Sequence, residues 1–297
     1  MNRWAGAACA LCVVLLFAGF TLVSRLGFAS AWSLPDLAAI RFGVGGLLLL
    51  PVFVRHRLAR LRWRQALTLA WLGGLGFGLL AYTGFWLAPA SHGAVLLHGT
   101  LPLFSFGVAW LLTRRGIAGR TKAGLALLAA GMATMAYDSL SSATPAQLLG
   151  DAALLLASLS WSTYGLLAQK WDVRPAPAAA MVAVLSMLVY VPGWLVYAGP
   201  ADVPPVTGAI VLQVLFQGVL LGAVSIFVYT QAVSLLGATQ IALWTAAVPC
   251  VTALLAIPML GEIPTPLAWG GVALATAGLL AAVAAPARPA SLQANPQ

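Results

Sequence analysis

Two ionisable side chains lie inside long apolar stretches of this sequence, and they are its strongest candidates for chemistry. His98 lies about 10 Å along one such stretch, if that stretch is helical with a rise of about 1.5 Å per residue. A neutral imidazole donates and accepts hydrogen bonds and exchanges a proton near neutral pH, so His98 is predicted to bind a ligand or to carry a proton. A hydrogen-bonded link between helices is the competing interpretation.

Arg41 lies at a similar depth in an earlier apolar stretch. A guanidinium in such a place must pair with an opposite charge or extend its tip toward water. Asp36 and Glu262 are its possible partners, and the carboxylate of a bound ligand is a third.

Pro102 and Pro249 interrupt two further apolar stretches. A proline inside a helix removes one backbone donor and leaves the carbonyl four residues earlier without its usual partner, here the carbonyls of His98 and Thr245. In an apolar medium such carbonyls persist only when they are buried in protein or face a wet cavity. The prolines therefore predict polar groups near the middle of the structure, with a simple packing kink as the alternative.

Aromatic and hydroxyl side chains in these stretches complete a predicted binding pocket. Trp161 and Tyr164 are spaced to share one face of a helix and lie in mid-stretch, which makes them the stronger pair. Tyrosine and tryptophan also form belts at membrane interfaces, which is the alternative for any one of them. The predicted ligand-binding residues are His98, Tyr82, Trp161, Tyr164, Tyr229, Trp244, Thr83 and Gln231, with Thr230 adding hydrogen-bonding capacity.

The composition says what kind of molecule must position these residues. Hydrophobic residues make up 62% of the 297-residue chain and charged residues only 7%, against about 25% charged in an ordinary soluble domain. A soluble globule is therefore excluded, and the net charge of +9 does not indicate nucleic-acid binding, which needs a basic face on a water-soluble module. The three cysteines lie in apolar runs, so no metal, cofactor or disulfide is predicted.

A membrane-spanning helix needs about 20 apolar residues, and the chain has room for ten. The first could instead be a signal peptide, but the repeat described below requires it as a helix. The spans are predicted at 4–24, 35–54, 66–88, 91–112, 122–138, 150–169, 177–198, 209–234, 238–260 and 265–285.

The basic residues set the orientation of these spans. Thirteen of the 15 lysines and arginines fall on one side of a ten-helix count, and only Arg25 and Arg41 do not. Loops rich in lysine and arginine stay in the cytoplasm, so both termini are predicted there. The opposite side carries the acidic residues Asp36, Asp138, Asp202 and Glu262.

The sequence also repeats itself. A shift of 147 positions aligns Tyr82-Thr83 with Tyr229-Thr230, Pro102 with Pro249, and glycines near residue 124 with glycines near residue 271. Each copy holds five helices, an odd number, so the second copy must enter the membrane from the opposite face. The predicted repeats are residues 4–138 and 150–285. The same shift aligns Glu262, at the end of the ninth helix, with Arg115, at the end of the fourth. These two helix ends are predicted to face opposite sides of the membrane.

These stretches resemble the EamA branch of the drug/metabolite transporter superfamily over nearly the whole chain. The resemblance lies in Phe17-Ala-Gly-Phe-Thr, Arg41-Phe42, Ser91-His92-Gly-Ala-Val with Pro102, Gly150-Asp151 with Ser160-Trp161-Ser-Thr-Tyr164, Gly237-Ala-Thr with Pro249, and Gly261-Glu262. It implies an all-α polytopic membrane protein, with ten transmembrane helices in two inverted-topology repeats around a central cavity.

The resemblance implies a secondary transporter that acts by alternating access and is not an enzyme. It further implies a small-molecule substrate, with export of an amino acid or related metabolite expected, in a bacterial inner membrane. Because relatives with varied substrates carry an arginine at this place, Arg41 is predicted to be gating or structural, together with Pro102, Pro249 and Glu262. Multidrug or cation efflux and metabolite uptake are alternatives, as are an intramembrane lipid-modifying enzyme and a structural membrane protein. Gly74-x-x-x-Gly78 is predicted to serve close packing inside the bundle, with a homodimer contact as the alternative.

Overall fold

The computed structural model describes residues 3–30, 32–58, 61–114, 116–140, 144–198, 208–261, 263 and 265–283. All regular structure within these ranges is helical, as predicted. We divide it into ten stretches: α1 (Arg3–Ala29), α2 (Leu34–His56), α3 (Trp63–Leu87), α4 (Ala90–Thr113), α5 (Gly119–Leu140), α6 (Pro145–Lys170), α7 (Pro175–Ala198), α8 (Gly208–Leu236), α9 (Ala238–Leu260) and α10 (Pro266–Val283).

Seven of these stretches are long and apolar enough to cross a membrane, judged by length and composition over the described residues. They are α1 from Trp4 onward, α2, α3, α4, α7 as far as Tyr197, α8 and α9. α10 contains a shorter apolar segment, Trp269–Ala282. The all-α membrane architecture is therefore confirmed, whereas ten crossings stay a prediction.

Local sequence fixes where two of the helices begin. Ser33 accepts a hydrogen bond from the N–H of Asp36 at the start of α2. Thr144 and Gln147 form a reciprocal capping box at the start of α6, and a proline lies in the first turn of both helices. These caps satisfy the free N–H groups that a helix exposes at its beginning.

Several of the helices change their winding in mid-course. α3 contains a π-helical turn at Trp71–Leu75, α4 one at Gly93–Gly99, and α8 a longer one at Val214–Val224. The π segments of α3 and α8 overlap under the shift of 147 positions that relates the two halves of the sequence. Such segments are frequent at functional sites, because they leave backbone groups outside the regular ladder.

The two prolines mark breaks in α4 and α9. α4 is interrupted at Thr100, and Pro102 lies in the first turn of the helix that follows. α9 is interrupted just before Val248, and Pro249 takes the same place in its second part. The interruptions predicted from these prolines are therefore present.

Four glycines join α5 to α10 and show how the two halves are related. A side chain added at Gly124 would meet the Gly278 carbonyl at 2.7 Å, and one added at Gly131 would meet the Gly271 carbonyl at 2.7 Å. Under the shift of 147, Gly124 corresponds to Gly271 and Gly131 to Gly278. The contacts are thus reciprocal, as a two-fold relation between two copies requires.

The remaining pairings place α1, α3, α4, α6 and α8 around the centre. α2 packs against α7 and α8, α3 and α4 pack against α6, and α1 packs against α8 and α9. Gly74 lies against Val182 of α7, and Gly78 lies against Phe42 of α2. These two glycines serve close packing inside the bundle, which the sequence favoured over a dimer contact.

Candidate functional site

A cluster of aromatic rings occupies the centre of the helix bundle. The Trp161 ring lies 4.5 Å from the Phe77 ring, 4.8 Å from the Tyr229 ring and 5.3 Å from the Tyr164 ring, measured between centroids. Each of these side chains is at most 2% exposed. The predicted residues Trp161, Tyr164 and Tyr229 therefore do lie together, although α6 and α8 are far apart in sequence.

His98 lies in the π-helical segment of α4, directly before the break. Its ring stacks on Phe17 at 4.9 Å with an interplanar angle of 25°, and the side chain is fully buried. Neither ring nitrogen has a hydrogen-bond partner among the described residues. An imidazole without any polar partner does not act as a hydrogen-bonding link between helices, so this conformation favours the ligand-binding interpretation.

Hydroxyl groups of α6 line the break in α4. Thr100 donates to the Leu96 carbonyl at 2.6 Å and accepts from the Ser158 hydroxyl at 2.8 Å, and Ser162 donates to the Leu101 carbonyl at 3.2 Å. The polar groups that the prolines predicted are thus side-chain hydroxyls. Ser158 and Ser162 were missed as such, because single serines are common in apolar helices.

Arg41 is buried among aromatic rings on the opposite side of the cluster. Its guanidinium carbon lies 4.7 Å from the Phe20 ring centroid and 5.6 Å from that of Phe77, and the side chain is only 3% exposed. Within the part of the chain that the structure describes, its Nη1 has no hydrogen-bond partner. A buried cation among ring faces is partly stabilised by cation–π attraction, but it still lacks a counter-charge.

Asp36, one of the partners predicted for Arg41, does not pair with it. Asp36 instead accepts hydrogen bonds from the Trp194 ring nitrogen at 3.1 Å and from the Ser33 hydroxyl. Glu262 lies outside the described residues. Within the described part of the chain, no carboxylate forms an ion pair with Arg41.

Tyr82 joins the cluster to a polar network that the sequence did not reveal. Its hydroxyl donates to Oε1 of Gln217 at 2.9 Å, and Nε2 of Gln217 donates to the Ser24 hydroxyl at 3.0 Å. All three side chains are fully buried. A glutamine in the middle of an apolar stretch was the available signal for Gln217.

A cavity lies at the end of the bundle where α6 and α8 end, next to a residue that is hydrogen-bonded to the aromatic cluster. Tyr164 and Thr230 share a hydrogen bond between their hydroxyls at 2.8 Å. Thr230 also lines a cavity of about 290 Å³, together with Gln169, Asp172, Ser234 and Gly237. This cavity leads from the bundle end to the edge of the aromatic cluster.

Three predicted binding residues lie outside the ring contacts. Trp244 is half-buried and packs against the edge of the core, and Thr83 and Gln231 are half-buried on α3 and α8. The structure does not join them to His98 or Arg41.

A second polar pair was not anticipated. Nδ1 of His92 lies 2.6 Å from Oδ1 of Asp151, with the two side chains 5% and 11% exposed. The pair lines a cavity of about 270 Å³ near the beginnings of α4 and α6. Both residues belong to motifs noted in the sequence, but nothing there indicated that they meet.

Comparison with known families decides the class of molecule. Residues 4–137 and residues 148–284 each match the EamA-like transporter family. The chain belongs to this family. A solved crystal structure superposes with a TM-score of 0.70 at 18% sequence identity, over 95% of this chain and 98% of the other, and so supports the fold. No curated protein matches the sequence.

The EamA family places the chain among the multi-pass membrane transporters of the drug/metabolite type, built from two repeats. It is a family of transporters and not of enzymes. Over the described residues, no group of three or more histidine, cysteine, aspartate or glutamate side chains is placed to hold a metal ion. The described side chains at the centre offer hydrogen-bonding groups, the Arg41 cation and aromatic faces.

Proposed function

We propose that this EamA protein exports an amino acid or a related zwitterion across the bacterial inner membrane by alternating access. The observation that carries the proposal is that three buried nitrogen atoms in the aromatic cluster, both ring nitrogens of His98 and Nη1 of Arg41, have no hydrogen-bond partner among the described residues. Buried polar atoms without partners are costly, and a ligand that supplies partners recovers that cost.

A zwitterion matches the chemistry of this cluster. Its carboxylate supplies the counter-charge that Arg41 lacks, through a charge-assisted hydrogen bond to Nη1. Its ammonium group is attracted to the ring faces of residues such as Trp161 and Tyr229. His98 then accepts or donates one further hydrogen bond. In this proposal Arg41 binds substrate instead of serving only as a gating or structural residue.

The two ends of the bundle support the proposed direction. The cavity that ends on Thr230 opens where α6 and α8 end, which is the cytoplasmic side in the predicted orientation. At the other end, Arg25 donates to the carbonyls of Phe85 and Ala88 at 3.2 Å each and ties α1 to the end of α3. In the proposed export cycle, substrate enters through this cavity from the cytoplasm.

The proposal includes ten crossings in two inverted repeats, with both termini in the cytoplasm. A green fluorescent protein fused to the carboxyl terminus is therefore expected to fluoresce, and alkaline phosphatase fused at the same place to be inactive. Alkaline phosphatase fused after residue 200, between α7 and α8, is expected to be active. A dark fluorescent fusion with an active phosphatase at the carboxyl terminus would reverse the orientation.

The transport proposal is tested by counterflow in proteoliposomes. Purified protein is reconstituted with a high internal concentration of an unlabelled amino acid, and uptake of the same labelled compound is followed. A panel of amino acids should contain at least one that exchanges faster than in protein-free liposomes. Exchange of lipophilic cations alone would favour the efflux alternative, and no exchange of any metabolite or drug would contradict the transport proposal.

His98→Ala is expected to lower the exchange rate about tenfold, because one ligand hydrogen bond of about 1.4 kcal/mol is lost. The melting temperature is expected to fall as well, because removal of a fully buried ring leaves a cavity, so the exchange rate is measured well below that temperature. His56→Ala is the matched control, because His56 lies at the end of α2 away from the cluster. An unchanged exchange rate in His98→Ala would remove this residue from the site.

A further inference from the structure

The cavity beside His92 and Asp151 is separate from the central cluster. It lies near the beginnings of α4 and α6, whereas the cavity that reaches Thr230 lies where α6 ends. Its walls are mainly apolar and come from three helices, with Val95 and Leu96 on α4, Met135 on α5 and Leu155 on α6. At about 270 Å³ it approaches the lower limit of ordinary ligand pockets, roughly 300 Å³.

The hydrogen bond between the two polar residues fixes their roles. A carboxylate only accepts, so Nδ1 of His92 carries the hydrogen that Asp151 receives at 2.6 Å. In the neutral imidazole, Nε2 is then a hydrogen-bond acceptor. Nε2 is buried, and no described residue donates to it. Asp151, whose side chain is 11% exposed, is the more accessible member of the pair and presents its carboxylate to the cavity.

The mouth of the cavity faces sideways out of the bundle. Leu148 and Leu155 border the cavity and are 49% and 36% exposed. In the proposed arrangement of ten crossings α6 spans the membrane, so these exposed leucines contact lipid chains. A ligand can therefore reach this cavity from the lipid phase without passing through the central cluster.

We propose that this cavity binds an alkylammonium group: a protonated amine that carries an apolar chain. The ammonium donates to the Asp151 carboxylate, which the hydrogen bond from His92 holds in place, while the chain lies along Val95, Met135 and Leu155. An alcohol of the same length supplies a hydrogen bond but no charge, and a carboxylate is repelled. The proposal does not depend on which substrate the central cluster transports.

The test is a thermal-shift titration of the purified protein in detergent with octylammonium, octanol, octanoate and octyltrimethylammonium. Octylammonium is expected to raise the melting temperature most, because only it combines positive charge with N–H donors. Asp151→Asn should weaken the apparent affinity for octylammonium about tenfold or more, since a charge-assisted hydrogen bond is lost. His92→Gln is a second variant with the same expectation.

Asp172→Asn is the matched control, because Asp172 is an acid that lines the cavity at the other end of α6. It should leave the octylammonium response unchanged. Equal shifts with octanol and octylammonium, or an undiminished response in both Asp151→Asn and His92→Gln, would overturn the proposal. These outcomes are read from binding alone, so they are independent of any counterflow result.

An alkylammonium can be a free amine or the headgroup of phosphatidylethanolamine. The protein is therefore also placed in nanodiscs of phosphatidylcholine with and without phosphatidylethanolamine. If phosphatidylethanolamine suppresses the octylammonium response, the natural occupant is the lipid. If the response persists unchanged, the occupant is a free amine. Both results support the site and differ only in its source of ligand.

Discussion

Arg41→Met is expected to abolish counterflow while the protein remains folded and at least as resistant to heat as the natural chain. Methionine has a similar length and fills the space between Phe20 and Phe77 without a charge. Removing one member of a buried charge pair costs about 3 kcal/mol, so the exchange rate should fall roughly 100-fold. Replacing an uncompensated buried charge with an apolar side chain is neutral or stabilising for the fold.

This variant is informative because the exchange rate is expected to fall while the melting temperature stays the same or rises. The measurements are the initial rate of amino-acid exchange in proteoliposomes and the melting temperature in detergent. Arg64→Met is the matched control, because Arg64 also lies over an aromatic ring, at 5.4 Å from Trp63, but at an exposed position. Loss of both exchange and thermal stability in Arg41→Met would assign Arg41 the structural or gating role that the sequence indicated.

The sequence predicted features that depend on one helix at a time. Trp161 and Tyr164 share a face because they are three residues apart, and they meet in the cluster as that spacing requires. Pro102 and Pro249 mark interruptions because proline lacks a backbone donor. The helical stretches follow the apolar runs to within a few residues at most ends, and α1 extends beyond its predicted end to include Arg25.

Features that depend on how two helices are placed side by side were not predictable in the same way. Asp36 was a reasonable partner for Arg41, five residues away, but it turns to Ser33 and Trp194 instead. His92 and Asp151 are 59 positions apart, and only the packing of α4 on α6 brings them together. A single sequence fixes neither the rotation of a helix about its axis nor its depth relative to a neighbour.

The π-helical segments add to this difficulty. Each one inserts extra residues into a helical turn, so side chains beyond it point in directions that a regular period does not predict. Gln217 lies inside the π segment Val214–Val224, and His98 inside Gly93–Gly99. Two of the most informative polar side chains thus lie where helical periodicity fails.

Gly131→Ala is expected to cause the largest loss of stability among single methyl additions on α5. The added methyl carbon would lie 2.5 Å from the backbone nitrogen of Ala275 and 2.7 Å from the Gly271 carbonyl oxygen. These are backbone atoms of α10, so neither can turn aside, and the two helices must separate. Overfilling a close-packed site costs typically about 1–3 kcal/mol, and we expect the upper end here.

The loss should be large because membrane helices associate through close packing rather than through exclusion of water. A separation at Gly131 also weakens the reciprocal contact between Gly124 and Gly278, on the same pair of helices. The measurement is the melting temperature in detergent, followed by size-exclusion chromatography of heated samples. Gly107→Ala is the matched control, because a methyl group there would have no atom within 4 Å.

The two-fold relation between the repeats also predicts the effect of the equivalent substitution in the second repeat. Gly131→Ala and Gly278→Ala are equivalent under the shift of 147, and each places a methyl group against the other helix's backbone. Both should therefore lower the melting temperature by a similar amount, with Gly107→Ala unchanged. If only one of the two substitutions lowers the melting temperature, the two halves do not contribute equally to the α5–α10 interface. That result would contradict the two-fold relation between the repeats.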